Sequence, residues 1–145
     1  MSNISKLHDR DFNLWLEEMA IAIKNRNYQA MDWDNLLEEI EDMGKSDKRA
    51  LRSLVQRLIE HIFKIRYWEI ERDRCLQGWK SEIINFRSLI SNILEDSPSL
   101  KKYLSENYLK WYQQSVNKYQ KNNLFVVPKH QPIELDIILK ENFFG

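Results

Sequence analysis

The stretch Asp34–Tyr67, DNLLEEIEDMGKSDKRALRSLVQRLIEHIFKIRY, decides the fold. Its apolar residues Leu36, Ile40, Met43, Leu51, Leu54, Leu58, Ile62 and Ile65 recur mostly at threes and fours, which puts them on one stripe of a single α-helix. At a rise of about 1.5 Å per residue the helix is on the order of 50 Å long, enough for the spine of a small domain. Gly44 lies inside it, where glycine costs about 1 kcal/mol against alanine, and Ser46 offers a cap for a fresh start. Ile40 and Leu51 are nevertheless eleven residues apart, close to a whole number of turns. The stripe therefore keeps its phase across Gly44, and the spacing predicts one helix.

Outward from this spine, Met1 to about Leu7 reads as a flexible arm. A first helix is expected from about Asp9 or Asp11 to Asn25, with acids at its positive end and Phe12, Trp15, Leu16, Met19 and Ile23 as its apolar stripe. Asn27–Met31 is a turn, and Asp32 or Asp34 caps the spine. The charged run Trp68–Gln77 loses the stripe, so a turn is placed between Trp68 and Gly78, followed by a helix to about Leu94 with Trp79, Ile83, Phe86, Ile90 and Ile93 inward. EDSPSL stops and restarts the chain, with Asp96 or Ser97 as cap and Pro98 in the first turn. The next helix runs to about Lys121 with Leu100, Leu104, Tyr108, Trp111, Ser115 and Tyr119 on one face. A loop over Asn122–Gln131, a short helix over about Ile133–Lys140, and Phe143 and Phe144 packed back on the bundle complete the chain. Only Leu124–Val127 hints at a strand. The prediction is all-α: an antiparallel helical bundle of four main helices plus a short C-terminal helix, one domain over residues 1–145.

Composition agrees. Three glycines and three prolines leave little punctuation, as long helices require, and five tryptophans argue against disorder. Zero net charge makes a generic polyanion binder an unsuitable reading. A single cysteine, Cys75, excludes an internal disulfide and fits a reducing compartment. No apolar run approaches the roughly 20 residues of a membrane span, and the N-terminus has no basic-then-apolar pattern of a signal peptide. A cytoplasmic protein is the expectation, with no membrane partner.

Five features together carry a family resemblance: Phe12-x-x-Trp15-Leu16, NLLEEIEDMGKSDKRAL (Asn35–Leu51), the His61–Trp68 segment, Trp79 with Arg87, and SPSL (Ser97–Leu100). The chain resembles the bacterial, largely cyanobacterial, family called domain of unknown function 29, over roughly Asp11–Phe144. The resemblance implies an all-helical fold and supplies no catalytic residue or cofactor. One departure is Ile70-Glu71-Arg72, where the family pattern has Pro-Glu-Arg.

Four constellations bear on function. Glu38, Glu39, Glu41 and Asp42 form an acidic patch whose members lie a turn apart. Di-iron bundles use Glu-x-x-His pairs, which this chain lacks, so a solvated acidic face near a helix N-terminus is favoured and no metal is assigned. His61 lies at the edge of the spine's stripe, and antiparallel pairing brings Arg87, on the inward side of its helix, level with it. Glu60 or Glu106 is the expected partner of that arginine, and Tyr108 lies nearby. The cluster His61, Arg87, Glu60 and Tyr108 reads first as a satisfied polar network and second as the pocket of an uncharacterised hydrolase. The motif of helical-bundle ribonucleases of the HEPN type needs an arginine at Leu54, Val55 or Gln56; Arg57 is too close to His61. Arg66, Trp68, Arg72, Arg74, Trp79 and Lys80 interleave cations with rings, a pattern that suits single-stranded nucleic acid, yet Trp79 is in phase with the core, so nucleic acid is the weaker reading. Asp47 falls in the apolar stripe and is expected to be buried and paired with Arg49 or Lys48. With no motif for chemistry, the leading expectation is a small helical protein-interaction or adaptor module with a protein partner, possible as a homodimer and without a cofactor.

Overall fold

The computed structural model describes the backbone from Asn3 and the side chains from Ile4 to Gly145. The elements are α1 (Asn3–Arg10), α2 (Phe12–Lys24), a 3-10 turn (Tyr28–Ala30), α3 (Trp33–Tyr67), α4 (Glu69–Asp96), α5 (Leu100–Asn122) and α6 (Leu135–Ile138). There is no strand among the described residues, Leu124–Val127 included. The four main helices expected from the sequence are α2 to α5, and α6 is the short C-terminal one. The chain divides into two compact units, Met1–Ser46 and Asp47–Gly145.

In the first unit, Asn3–Leu7 lies in α1 where the sequence suggested an arm; Met1 and Ser2 lie outside the described residues. Asp11 separates α1 from α2 and caps the latter, its carboxylate accepting from the Leu14 N–H at 3.1 Å. Only Trp15, Met19 and Ala22 of α2 are buried. Phe12, Leu16 and Ile23, expected on the inward stripe, are exposed.

α3 is one helix through Gly44, as its phase predicted. An added Cβ at Gly44 meets nothing within 4 Å, and its φ is not positive. Gly44→Ala is therefore expected to raise stability by about 1 kcal/mol in urea denaturation; a marked loss would contradict a helical glycine. The stripe itself splits in two. Leu51, Leu58 and Ile62 are fully buried, joined by Val55, Ile59 and Phe63. Every residue from 41 to 50 is exposed. Asp47 is thus solvated rather than buried: helical phase says which residues share a face, not whether anything covers it.

In the second unit α4 runs back along α3, pairing Arg72 with Arg66 near the turn and Glu82 with His61 further on. α5 runs with α3: Arg52 and Gln56 donate to Gln114 at 2.9 and 3.0 Å, and Lys118 reaches Glu60 at 2.9 Å. All six residues expected on the inner face of α5 are buried, and four of five on α4, with Ile93 half-buried. Trp68 alone connects α3 to α4 (φ −97°, ψ 69°), so Glu69–Gln77, which looked like turn, is helix. Glu69, Asp73 and Arg74 are exposed, and Glu69 and Glu71 favour the helix's positive end. At the other end, Ser97 closes α4 and Ser99 precedes α5 without a side-chain cap, in place of a cap at Asp96 or Ser97. Asn123 ends α5 in the left-handed conformation (φ 57°), which asparagine tolerates better than most residues. The tail beyond it returns to the core through Val127, Ile133 and Ile138, with Phe143 and Phe144 packed against it as expected.

Candidate functional site

The polar residues that the sequence grouped around His61 do not converge on one pocket. His61 Nδ1 donates to the Arg57 carbonyl at 2.8 Å and Nε2 meets the Glu82 carboxylate, while its ring packs edge-on against Phe86 at 5.0 Å. Both ring nitrogens face oxygen acceptors. Glu60 pairs instead with Lys118, and Glu106 lies 3.8 Å from Lys102.

Arg87 has no carboxylate partner. Its Nε donates to the Ile138 carbonyl at 3.0 Å, and its two terminal nitrogens donate to the carbonyls of Glu141 (3.3 Å) and Phe143. Its guanidinium also sits 5.5 Å from the Phe144 ring. Burial lowers its pKa, and Glu141 opposes that shift. The Tyr108 hydroxyl donates to the Ile133 carbonyl at 2.6 Å, and Tyr112 meets His130. Burial raises the pKa of both tyrosines. Arg87, Tyr108 and Tyr112 thus all fasten the segment after α5, and their polar atoms are committed to it. Beside Arg87 lies a cleft of about 580 Å³ lined by Ile84, Ser88, Ser91, Asn92 and Glu141. It holds no histidine, cysteine or lysine to activate a serine.

The basic-aromatic run separates into two sets. Trp68 is stacked against both Trp79 (5.9 Å) and Phe125 (5.2 Å), so its ring is not free for a base. Arg74 is exposed and pairs with Glu71. Arg66, Arg72 and Lys80 line one cleft.

In the first unit, Glu39 of the acidic patch binds His8 Nε2 at 2.7 Å. That hydrogen bond raises the His8 pKa against the opposing effect of burial. Glu38 and Asp42 remain exposed, and no group of three or more His, Cys, Asp or Glu among the described residues could hold a metal ion. Buried Asp32 accepts from Trp15 Nε1 (2.9 Å) and Asn35 Nδ2 (2.8 Å). Burial pushes its pKa up, but these hydrogen bonds outweigh that and bring it below the usual value. Sequence reading missed this Trp15–Asp32–Asn35 cluster, although an Asp three residues before an Asn at a helix start is a local signal for it. It also missed the exposed apolar side of α3, where Leu37, Ile40 and Met43 are 57%, 53% and 61% exposed, with Trp33 a turn before them.

A family model described as "Domain of unknown function DUF29" matches residues 7–144. The chain belongs to the DUF29 family. No curated protein and no solved structure matches it. Within this DUF29 chain, no helix is long and apolar enough to cross a membrane among the described residues.

Proposed function

We propose that this DUF29 chain is a protein-interaction module whose docking surface is the uncovered first half of α3. The observation that carries this reading is the continuity of one stripe. Trp33, Leu37, Ile40 and Met43 share the face that farther along buries Leu51, Leu58 and Ile62, yet all four are more than half exposed. Anchors at helical spacing on an exposed face are how amphipathic helices dock. A contiguous uncovered apolar stripe on a solvated helix marks an interaction site better than scattered apolar residues do.

The partner that fits this face is a second copy of it, run antiparallel and crossing near Gly44, which lies on the same face. The acids Glu38 and Asp42 and the bases Lys45 and Arg49 lie on the far side of the helix and stay solvated. Gly44, without a side chain, lets the two backbones approach at the crossing. Asp47 faces Ile40 in that register and keeps its hydration, so the dry contact is short and the dimer is of about micromolar strength. A reducing, cytoplasmic setting suits the free thiol of Cys75.

Sedimentation equilibrium tests this. The wild-type chain is expected to dimerise in the micromolar range. Ile40→Glu with Met43→Glu, which puts like charges on the contact face itself, weakens the dimer by about tenfold or more, whereas Glu38→Arg with Asp42→Lys, on the far side of the helix, leaves it unchanged. A monomer at all concentrations, or Ile40→Glu with Met43→Glu without effect, would overturn the self-pairing.

A further inference from the structure

Nothing in the reading of α3 above uses the cleft formed by Arg66, Arg72 and Lys80. It is an open hollow of about 530 Å³ where the α3–α4 turn meets the C-terminal segment, with Ile65, Leu76, Asn142, Phe144 and Gly145 completing its lining. Among the described residues, no acidic side chain lines it and none of the three cations takes part in an ion pair. They are held in place by neutral groups instead. One terminal nitrogen of Arg72 donates to the Arg66 carbonyl at 2.9 Å. The Arg66 guanidinium sits 5.7 Å from the Phe143 ring, and Lys80 Nζ sits 5.3 Å from the Phe144 ring. Arg72 Nε is buried and has no acceptor. Three like charges without a side-chain counter-ion are costly, and one bound anion relieves that cost.

We propose that this cleft binds the phosphoryl group of a small ligand. Two guanidinium groups offer planar, forked donors that match a tetrahedral oxyanion, and the ammonium and the Asn142 amide complete the donor set. The apolar wall of Leu76 and Phe144 leaves room for a body attached to the phosphate. A nucleic-acid strand fits less well, because Trp68 and Trp79, the nearest large rings in the sequence, are engaged with each other and with Phe125.

The test is isothermal titration calorimetry of the full chain with inorganic phosphate in low salt, alongside citrate and a single-stranded oligonucleotide. Saturable one-to-one phosphate binding is expected, weakened at least tenfold by Arg72→Gln and by Lys80→Gln, with citrate weaker than phosphate. Arg72 also ties α4 to α3, so a thermal melt accompanies each variant. Lys80→Gln removes a charge that makes no hydrogen bond or ion pair and keeps the test valid if Arg72→Gln fails to fold. No saturable phosphate heat, or binding that both variants leave unchanged, would overturn the proposal. So would citrate binding tighter than phosphate, or an oligonucleotide binding far more tightly than phosphate with a steep salt dependence.

Discussion

Arg87→Met is expected to destabilise the chain by about 3 kcal/mol, because hydrogen bonds from a charged donor contribute roughly 1.5–3 kcal/mol each and three are lost together. The loss is smaller than their sum for two reasons. Methionine removes the cost of burying the guanidinium, and the carbonyls of Ile138, Glu141 and Phe143 regain water once the tail loosens. The same reasoning sets the conservative variant. Arg87→Lys keeps the charge but replaces the fork by a single ammonium, which cannot reach three carbonyls spread over six residues. It is expected to recover less than half of the lost stability. Urea denaturation reads the free energy, and limited proteolysis reads the tail, with cleavage after about residue 123 appearing first in both variants. Wild-type stability in Arg87→Met would mean that the tail is held by Val127, Ile133 and Ile138 alone.

Trp15→Ala should remove the fold of the first unit while leaving the second intact. A buried tryptophan truncated to alanine costs about 3–5 kcal/mol. Among the described residues, the first unit buries only Trp15, Met19 and Ala22 as apolar core, around the carboxylate of Asp32. The substitution also takes from Asp32 the indole donor at 2.9 Å, leaving a buried carboxylate with Asn35. So small a core has no reserve of that size. Hydrogen exchange is the suitable readout: amides of α1 and α2 lose protection in Trp15→Ala, and those of Leu51–Phe63 and α5 keep it. Uniform loss of protection along the chain would show that the units unfold together. Unchanged protection in α2 would show that its core is larger than these three side chains.

Much of this architecture is legible in the sequence, and the reason differs by element. The helices α3, α4 and α5 follow from apolar periodicity because a buried face leaves a repeating trace. All six residues expected on the inner face of α5 are buried, and the one buried residue not expected there is Tyr112. The same periodicity misleads for Asp47 and for Phe12, Leu16 and Ile23, which share the face yet stay exposed. The start of α4 is hidden for the opposite reason: Glu69–Gln77 is helical without an apolar stripe, because most of its side chains face solvent. The inward placement of Arg87 was legible from phase, but its partners were not. Backbone carbonyls carry no sequence signature, and the acids that helix phase offers, Glu60 and Glu106, face other cations. For His61 the true partner, Glu82, lies on the neighbouring helix and was passed over in favour of Arg87.

The central claim is that the exposed face of α3 meets the same face of a second copy near Gly44, and a cysteine cross-link tests it most directly. Met43→Cys, in a chain carrying Cys75→Ser, places one thiol beside the two-fold axis. Under mild oxidation it is expected to give a disulfide-linked dimer quickly and nearly completely. Leu109→Cys in the same background puts an equally exposed thiol on α5 and should link only slowly. Equal, slow cross-linking of the two variants would contradict the account.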